Sequence, residues 1–263
     1  DWRLPFVRDG VRTRQVFEPI AAFVAAPFSA NPSRIPNEDS AYFEFDETNL
    51  FRPNRFPGRD HVEEGQHVAY GVRGGTYGAR GGSTTLFVGQ SFQFQKDTDL
   101  PAGSGLEEDF SDIVARLEVV PNKYLSAIYK TRVDIDSQEA ARSELALRAG
   151  GRALHVDMFY FFFDQRTPKD TRQRTFGDRE EITLQVGTQL TERWSGSVNT
   201  RHDFATGAGT LSWGGSLRYV CDCATFGLDL ARTYTRDRDI GPNNSVVVRM
   251  VLKTLGEFGG SIL

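Results

Sequence analysis

The sequence predicts an all-β fold, an antiparallel transmembrane β-barrel segment of about twelve strands. Three observations carry this: segments of about 10 to 13 residues in which apolar and polar residues alternate, connections that alternate between short and long, and an unusual composition. Only 39% of the 263 residues are hydrophobic, yet there are 20 Phe and 26 Gly, which suits thin walls better than a thick core. A net charge of -4 advertises no basic field, so nucleic acid is set aside as a partner. No run of about 18 apolar residues occurs, which excludes a transmembrane helix and leaves a strand barrel open. The start, Asp1-Trp2-Arg3-Leu4, has neither the basic end nor the apolar core of a signal peptide.

Residues 14–26 are extended and small or β-branched, and Pro19 weakens one ladder bond there without forbidding a strand. The connection at 27–65 is rich in Pro, Asn, Asp and Arg and carries Phe43, Phe45, Leu50, Phe51 and Phe56. A loop this long inside a compact protein is functional or marks a misassignment. Its aromatics predict that it folds over or into the barrel mouth, with Asp39, Asp46, Arg55 and Asp60 in buried pairs. Alternating segments follow at about 66–78, 84–95, 109–120, 124–135, 140–149, 153–164, 180–190, 194–204, 210–220, 224–236 and 244–254. With the first they make twelve, each longer than an ordinary globular strand and close to what crosses a tilted path through a bilayer.

The alternation is clean. Ile182, Leu184, Val186, Thr188 and Leu190 share one face while Thr183, Gln185, Gly187 and Gln189 share the other. The polar faces carry both signs, as at Arg116, Glu118, Arg142, Glu144 and Arg148, which suits a hydrated lumen or contact with a luminal partner or lipid phosphates. A soluble β-sandwich also alternates, but the connections separate the two. Short ones fall at 79–83, 121–123, 150–152, 191–193 and 221–223, and every long one falls in the other set, as in an outer-membrane barrel. By this parity the chain begins and ends on the short-turn side. Trp194, Trp213, Tyr124, Tyr160 and Tyr234 stand near segment ends, where interfacial aromatics belong.

Hydrocarbon offers no partner to a bare strand edge, and each unsatisfied backbone group there costs about several kcal/mol. Twelve strands must therefore close on themselves or join strands outside this chain. The abrupt start at Asp1, with the chain already running toward a strand, argues for the second.

Chemistry-bearing residues are few. His202-Asp203 near Ser197 suggests a hydrolase, but neighbours on a strand point to opposite faces, whereas a triad needs its base and orienter in contact. His61 and His67 are expected at the surface. Cys221 and Cys223 in Tyr219-Val220-Cys221-Asp222-Cys223 leave three readings open: half of a metal clip, an internal redox pair, or two thiols with partners elsewhere.

Several stretches are more specific. Asn37-Glu38-Asp39-Ser40, Phe43 to Phe51 with Phe45, Asp46, Asn49 and Leu50, and Asn54 to Asp60 with Arg55, Phe56, Gly58 and Asp60 resemble the long-loop signature of the lipopolysaccharide-assembly outer-membrane protein family (LptD), in its alphaproteobacterial form. The resemblance extends to Glu18-Pro19, to the cysteine stretch and to Thr233 to Pro242. It implies the last twelve strands of a barrel of about twenty-six, with a periplasmic jellyroll and the earlier strands missing. It further implies a translocon that releases lipopolysaccharide through a lateral opening beside the last strand, Ser245 to Lys253, where Val246, Val248, Arg249, Met250 and Leu252 would line the seam. The partners so implied are lipopolysaccharide, a plug lipoprotein in the lumen, periplasmic bridge proteins reached through the missing N-terminal domain, and outer-membrane lipids; no cofactor and no catalysis are expected.

This chain departs from the family in two ways. Asp222 separates the cysteines, which are adjacent in some members, and the N-terminal cysteines that bridge to them are absent, so the implied disulfide partners lie outside the chain. The end, Gly259-Gly260-Ser261-Ile262-Leu263, lacks the terminal aromatic common in outer-membrane barrels. The rival reading is a self-contained twelve-strand porin or membrane enzyme, in which 244–254 would pair with 14–26.

Overall fold

The computed structural model describes residues 1–27, 31, 44–95, 100, 103–164, 179–205, 209–235 and 241–252, and the backbone of 256–261. Regular structure among them is entirely strand, divided between two compact units. Unit one comprises Asp1–Asn122, Ile128–Glu144 and Phe162–Gly177, and unit two Lys123–Ala127, Leu145–Phe161 and Asp178–Leu263.

Unit one contains β1 (Trp2–Arg3), β2 (Phe6–Asp9), β3 (Thr13–Ala26), β4 (Gly65–Gly78), β5 (Ser83–Gln93) and β6 (Ile113–Asn122). From β3 onward each strand pairs antiparallel with the next, from Thr13↔Gly78 to Ala26↔Gly65, then Tyr77↔Ser83 to His67↔Gln93, then Ser83↔Val120 to Gly89↔Val114. Alternation at period two specifies this register, because a slip of one residue would turn every side chain to the wrong face. The β4–β5 connection is tight. Gly82 within it has φ 87°, and a Cβ there would sit 2.6 Å from Pro121 O.

Unit two contains β10 (Arg179–Gln189), β11 (Trp194–Asp203), β12 (Gly209–Val220), β13 (Ala224–Thr233), β14 (Asn243–Leu252) and β15 (Gly256–Ser261), again a meander of antiparallel neighbours. Between them in sequence, β7 (Leu125–Val133), β8 (Ala140–Gly150) and β9 (Leu154–Phe163) each divide their length between the units.

The twelve expected strands are β3 to β14, and two stretches correct the expectation. The stretch over residues 2–9 pairs with β3, as Trp2↔Ala21 and Arg3↔Ile20 and as Phe6↔Phe17 to Asp9↔Arg14, and Pro5, which has no N–H, breaks it into β1 and β2. At the other end β15 pairs with β14, from Leu252↔Gly256 to Val247↔Ser261. Trp2 therefore stands opposite Ala21, toward the long-connection end of β3 and not on the short-turn side, and Ser261 stands opposite Val247, midway along β14. Ser245 to Lys253 is not the last strand either: β14 is paired on both edges, by β13 and β15. β3 likewise uses both its edges within unit one.

The two faces of the sheet are inverted relative to a soluble protein's. In unit one, Phe17, Phe23, Val72, Leu86, Val88 and Leu117 stand on one face and are exposed, Phe23 at 61%. Ile20, Ala22, Ala69, Phe87 and Val114 alternate with them and are buried. In unit two, Val198, Leu217, Phe226, Leu228, Leu230 and Val248 form the bare face. An apolar patch of this extent is a liability in water and is solvated in hydrocarbon. Aromatics border it. Trp194, Tyr219 and Phe226 make a ladder across β11 to β13, with ring centroids 4.9 and 6.4 Å apart, and toward the other border Trp213 Nε1 donates to Tyr234 Oη at 3.2 Å. On β12, Trp213 and Tyr219 are about 20 Å apart along the strand, roughly the height of a barrel's apolar band.

Leu228→Arg, at the middle of the bare face, is expected to destabilise the protein folded in lipid vesicles by about 2–4 kcal/mol, whereas Ser216→Arg on the opposite face should leave the urea midpoint nearly unchanged. Equal effects of the two would show that the bare face does not meet lipid.

Candidate functional site

The site is the connection between β3 and β4, of which residues 44–64 fold back onto the covered face of unit one. Short polar side chains shape it first. Asp46 Oδ1 accepts from Thr48 N at 2.8 Å and from its hydroxyl at 2.6 Å, while Asn49 Oδ1 accepts from Asp46 N at 3.0 Å and Asn49 Nδ2 donates to Glu44 O at 2.6 Å. The result is a closed turn over Asp46–Asn49, the kind that Asp and Asn favour by bonding nearby backbone. Asn54 then joins the two arms of the rest: its Oδ1 accepts from Phe56 N and Glu63 N at 3.2 and 3.1 Å, and its Nδ2 donates to His61 O at 3.1 Å.

That framework aims the apolar residues at the sheet. Phe45, Leu50 and Phe56 are buried in one cluster with Ala22, Ala69, Phe87 and Val114 of the strands, and Phe51 stacks edge-on against Phe87 at 6.0 Å. Burying each of these loop side chains contributes about 1.5–3 kcal/mol. Leu50 enters a slot over Gly89, where a Cβ would run into Leu50 Cδ2 and lie 2.9 Å from Phe87 Cζ. Leu100 and Leu106, from the β5–β6 connection, complete the cluster.

Behind it lies a buried ion pair. Arg55, with its side chain fully buried, donates Nε–H to Glu63 Oε2 at 2.7 Å and makes a second contact from Nη2 to Oε1. The Arg55 guanidinium also sits 5.7 Å over the Phe45 ring, and His67 Nδ1 of β4 lies 3.4 Å from Glu63 Oε1. This bidentate geometry is the one in which Arg is strongest.

Toward the strands a layer of ion pairs ties the loop to the covered face. Glu47 reaches Lys130 at 3.0 Å and Arg116 at 3.6 Å, and Glu44 reaches Arg142 at 2.6 Å, with Arg142 also held by Glu144. Burial raises the Glu44 carboxyl above its ordinary range, and Arg142 partly offsets this. A second loop docks similarly. Arg132 donates to Ser104 O at 2.5 Å and Gly103 O at 3.0 Å and lies 3.4 Å from Asp112, whose carboxyl burial pushes up to about 6. Below Glu47 and Phe51, a cavity of about 290 Å³ is lined by Arg73, Thr85, Phe87 and Arg116. What the arrangement can do is mechanical: it covers one face of a strand wall with a wedge that is apolar where it touches glycine and charged where it touches arginine.

The model of a protein family described as LptD, LPS transport system D, matches residues 1–194, which include this loop and the whole of unit one. The chain belongs to the LptD family. A relative described as LPS-assembly protein LptD, from Nitrosococcus oceani, is 26% identical over 259 residues, covering 96% of this chain and 33% of the relative. The chain thus spans about a third of that relative's length. The place of LptD proteins is the bacterial outer membrane, and an all-β chain with a bare apolar face fits it.

Of the loop residues that carried the resemblance, Asp39 lies outside the described residues. Phe45, Asn49, Leu50, Arg55 and Phe56 are buried together and Phe51 is half-buried against them. Gly58 and Asp60 are half-buried in the bend over 57–60. Arg55 forms a buried pair as expected, with Glu63 as its partner, and the expectation is corrected for Asp46, which spends its carboxylate on the turn. His67 is buried at 2% exposure, not at the surface. Glu63, Glu47 and Glu44 were missed, and so was Gly89; a glycine inside a strand often marks close approach, which is the signal that points to it.

Elsewhere the residues weighed for catalysis have other partners. Ser197 meets Ser216, His202 stacks on Phe204, and Asp203 accepts from Ala205 N. Among the described residues no three His, Cys, Asp or Glu are grouped to hold a metal. Cys221 and Cys223 occupy the β12–β13 turn with their sulfurs 3.5 Å apart, and the Cys221 thiol donates to Ala224 O at 3.3 Å. The pairing with Cys221 raises the Cys223 thiol above its ordinary range.

Glu63→Gln would leave the Arg55 guanidinium buried without a counter-charge, a change worth about 3–5 kcal/mol. Limited proteolysis of the folded variant is expected to cut within 44–64 at least tenfold faster than in the parent, and an unchanged cutting rate would mean that the ion pair does not hold the loop.

Proposed function

We propose that this chain is the C-terminal part of the barrel wall of a lipopolysaccharide translocon, non-enzymatic and without a cofactor of its own, and that residues 44–64 form a wedge holding that wall in shape at the barrel mouth. One observation carries the reading: in a chain of the LptD family, a charged and aromatic loop is locked against the covered face while the opposite face is bare and apolar. Lipopolysaccharide is the substrate, and its route runs along the covered side. Both edges of β3 and of β14 are engaged within their own units, which supports a wall that continues beyond twelve strands over a closed twelve-strand porin.

The long connections face the outside and the short turns the periplasm. The seam of the lateral opening lies at the C-terminal border, where β14, with Val246, Val248, Arg249, Met250 and Leu252, supports β15. A plug lipoprotein shares the lumen, and periplasmic bridge proteins deliver substrate through the domain that precedes this part. Arg116 and Arg142 are engaged by the wedge, whereas Arg148, exposed beside Asp157 at 3.5 Å, is free to meet the plug.

In the full-length protein, deletion of residues 37–60 is expected to abolish surface display of lipopolysaccharide while the protein still reaches the outer membrane. Normal display by the deletion would overturn the wedge. Cys221 and Cys223, in a periplasmic turn, join cysteines outside this chain. Non-reducing mass spectrometry of the mature protein should find both in interdomain disulfides; two free thiols would contradict this.

A further inference from the structure

On the polar face of unit two, one register row crosses all six strands. Gln189 of β10, Ser195 of β11, Arg218 of β12, Gly227 of β13, Arg249 of β14 and Gly259 of β15 stand successively opposite one another. Arginine and glycine alternate over the last four. Strands about 4.8 Å apart place the stems of Arg218 and Arg249 about 10 Å from each other, with no side chain between them. Two guanidinium forks at that spacing can close on one tetrahedral oxyanion from opposite sides, each presenting parallel N–H donors.

Gly227 is not required by the chain itself. A Cβ there would meet only Arg249, at 3.8 Å from its Cβ and 4.0 Å from its carbonyl oxygen, which is ordinary contact, and the backbone has no left-handed φ. Glycine inside a strand weakens it and marks places where a ligand comes close. Above it opens a cavity of about 250 Å³ lined by Ser216, Arg218, Thr225, Asp229, Arg249 and Val251. Thr225 adds a hydroxyl donor, and the described lining residues carry two arginines and one aspartate.

We propose that Arg218, Gly227 and Arg249 form a cradle for a phosphate group, Gly227 being the floor and the two arginines the walls. The carrier of that phosphate, on the reading of the preceding subsection, is the phosphorylated glycolipid passing along the covered side; free phosphate is the other source of the same chemistry.

The test uses the full-length protein with its partners in lipid vesicles and a photo-crosslinking residue at position 225. Capture of phosphorylated lipopolysaccharide is compared with capture of the same glycolipid after enzymatic removal of its phosphates. The parent is expected to capture the phosphorylated form at least about tenfold better, the difference that one charge-assisted contact makes. Arg218→Gln, Arg249→Gln and Gly227→Val, which fills the floor but keeps both charges, should each reduce that preference to near one. If Gly227→Val does not fold, as read from its heat-dependent gel mobility, the two arginine variants decide. Capture that ignores the lipid's phosphates, together with Arg218-dependent binding of inorganic phosphate seen by phosphorus NMR, assigns the cradle to free phosphate. Phosphate preference that survives all three substitutions overturns the cradle and leaves the translocon reading intact. Absence of glycolipid capture anywhere along the wall counts against that reading instead, and the inorganic phosphate titration then decides the cradle alone.

Discussion

The buried pair of Arg55 and Glu63 is the interaction on which the arrangement of unit one depends. Removing both charges from water is costly, and only bidentate geometry with further polar neighbours offsets it. Glu63 has those neighbours: Arg55 along two bonds, with its backbone N–H joining the same carboxylate at 3.4 Å, and His67 beside it. Such a pair adds little net stability, but it is intolerant of partial assembly. Both charges lose their water when the loop is seated, so a seating that separates them is strongly disfavoured. The Arg55 fork also covers Phe45, linking the pair to the apolar cluster, so that charge and packing position the same few residues.

That seating gives the sheet its asymmetry. The covered face alternates small and apolar residues near the wedge with charged ones beyond it, and Glu47 and Glu44 hold Arg116, Lys130 and Arg142 there. The other face is left to the bilayer. A strand wall in hydrocarbon has little hydrophobic core of its own, because lipid is as apolar as its outer side chains. On the covered side of unit one, loop 44–64 is laid against the strands.

The strands were legible because alternation at period two over ten or more residues is a strong signal; all twelve segments are strands, though the one expected at 109–120 runs from Ile113 to Asn122. The extra strands were not. β1 and β2 are four residues or fewer and broken by Pro5, and β15 contains three glycines in Gly256–Ser261, so neither presents an alternating pattern. At the site, the aromatics of the loop were legible from their density in an otherwise polar stretch. The partner of Arg55 was not, since Glu63 is eight residues away across a bend, while Asp60 lies nearer in sequence and Glu47 lies as near. His67 reads as an ordinary strand residue until the loop is known to cover it. Arg249 was singled out as a seam residue, and its register opposite Gly227 is not contained in the sequence alone.

The chain belongs to the LptD family, and its first unit has one bare apolar face and a loop seated on the other. The central claim is that the wedge is part of the folded wall and not a solvated lid. Amide hydrogen exchange on the full-length protein in lipid bilayers tests it most directly. Backbone amides of Phe45 to Glu63 that have hydrogen-bond partners, Leu50, Arg52 and Glu63 among them, should be protected on the timescale of the flanking strands. Exchange of these amides as fast as in an unstructured peptide would contradict the account.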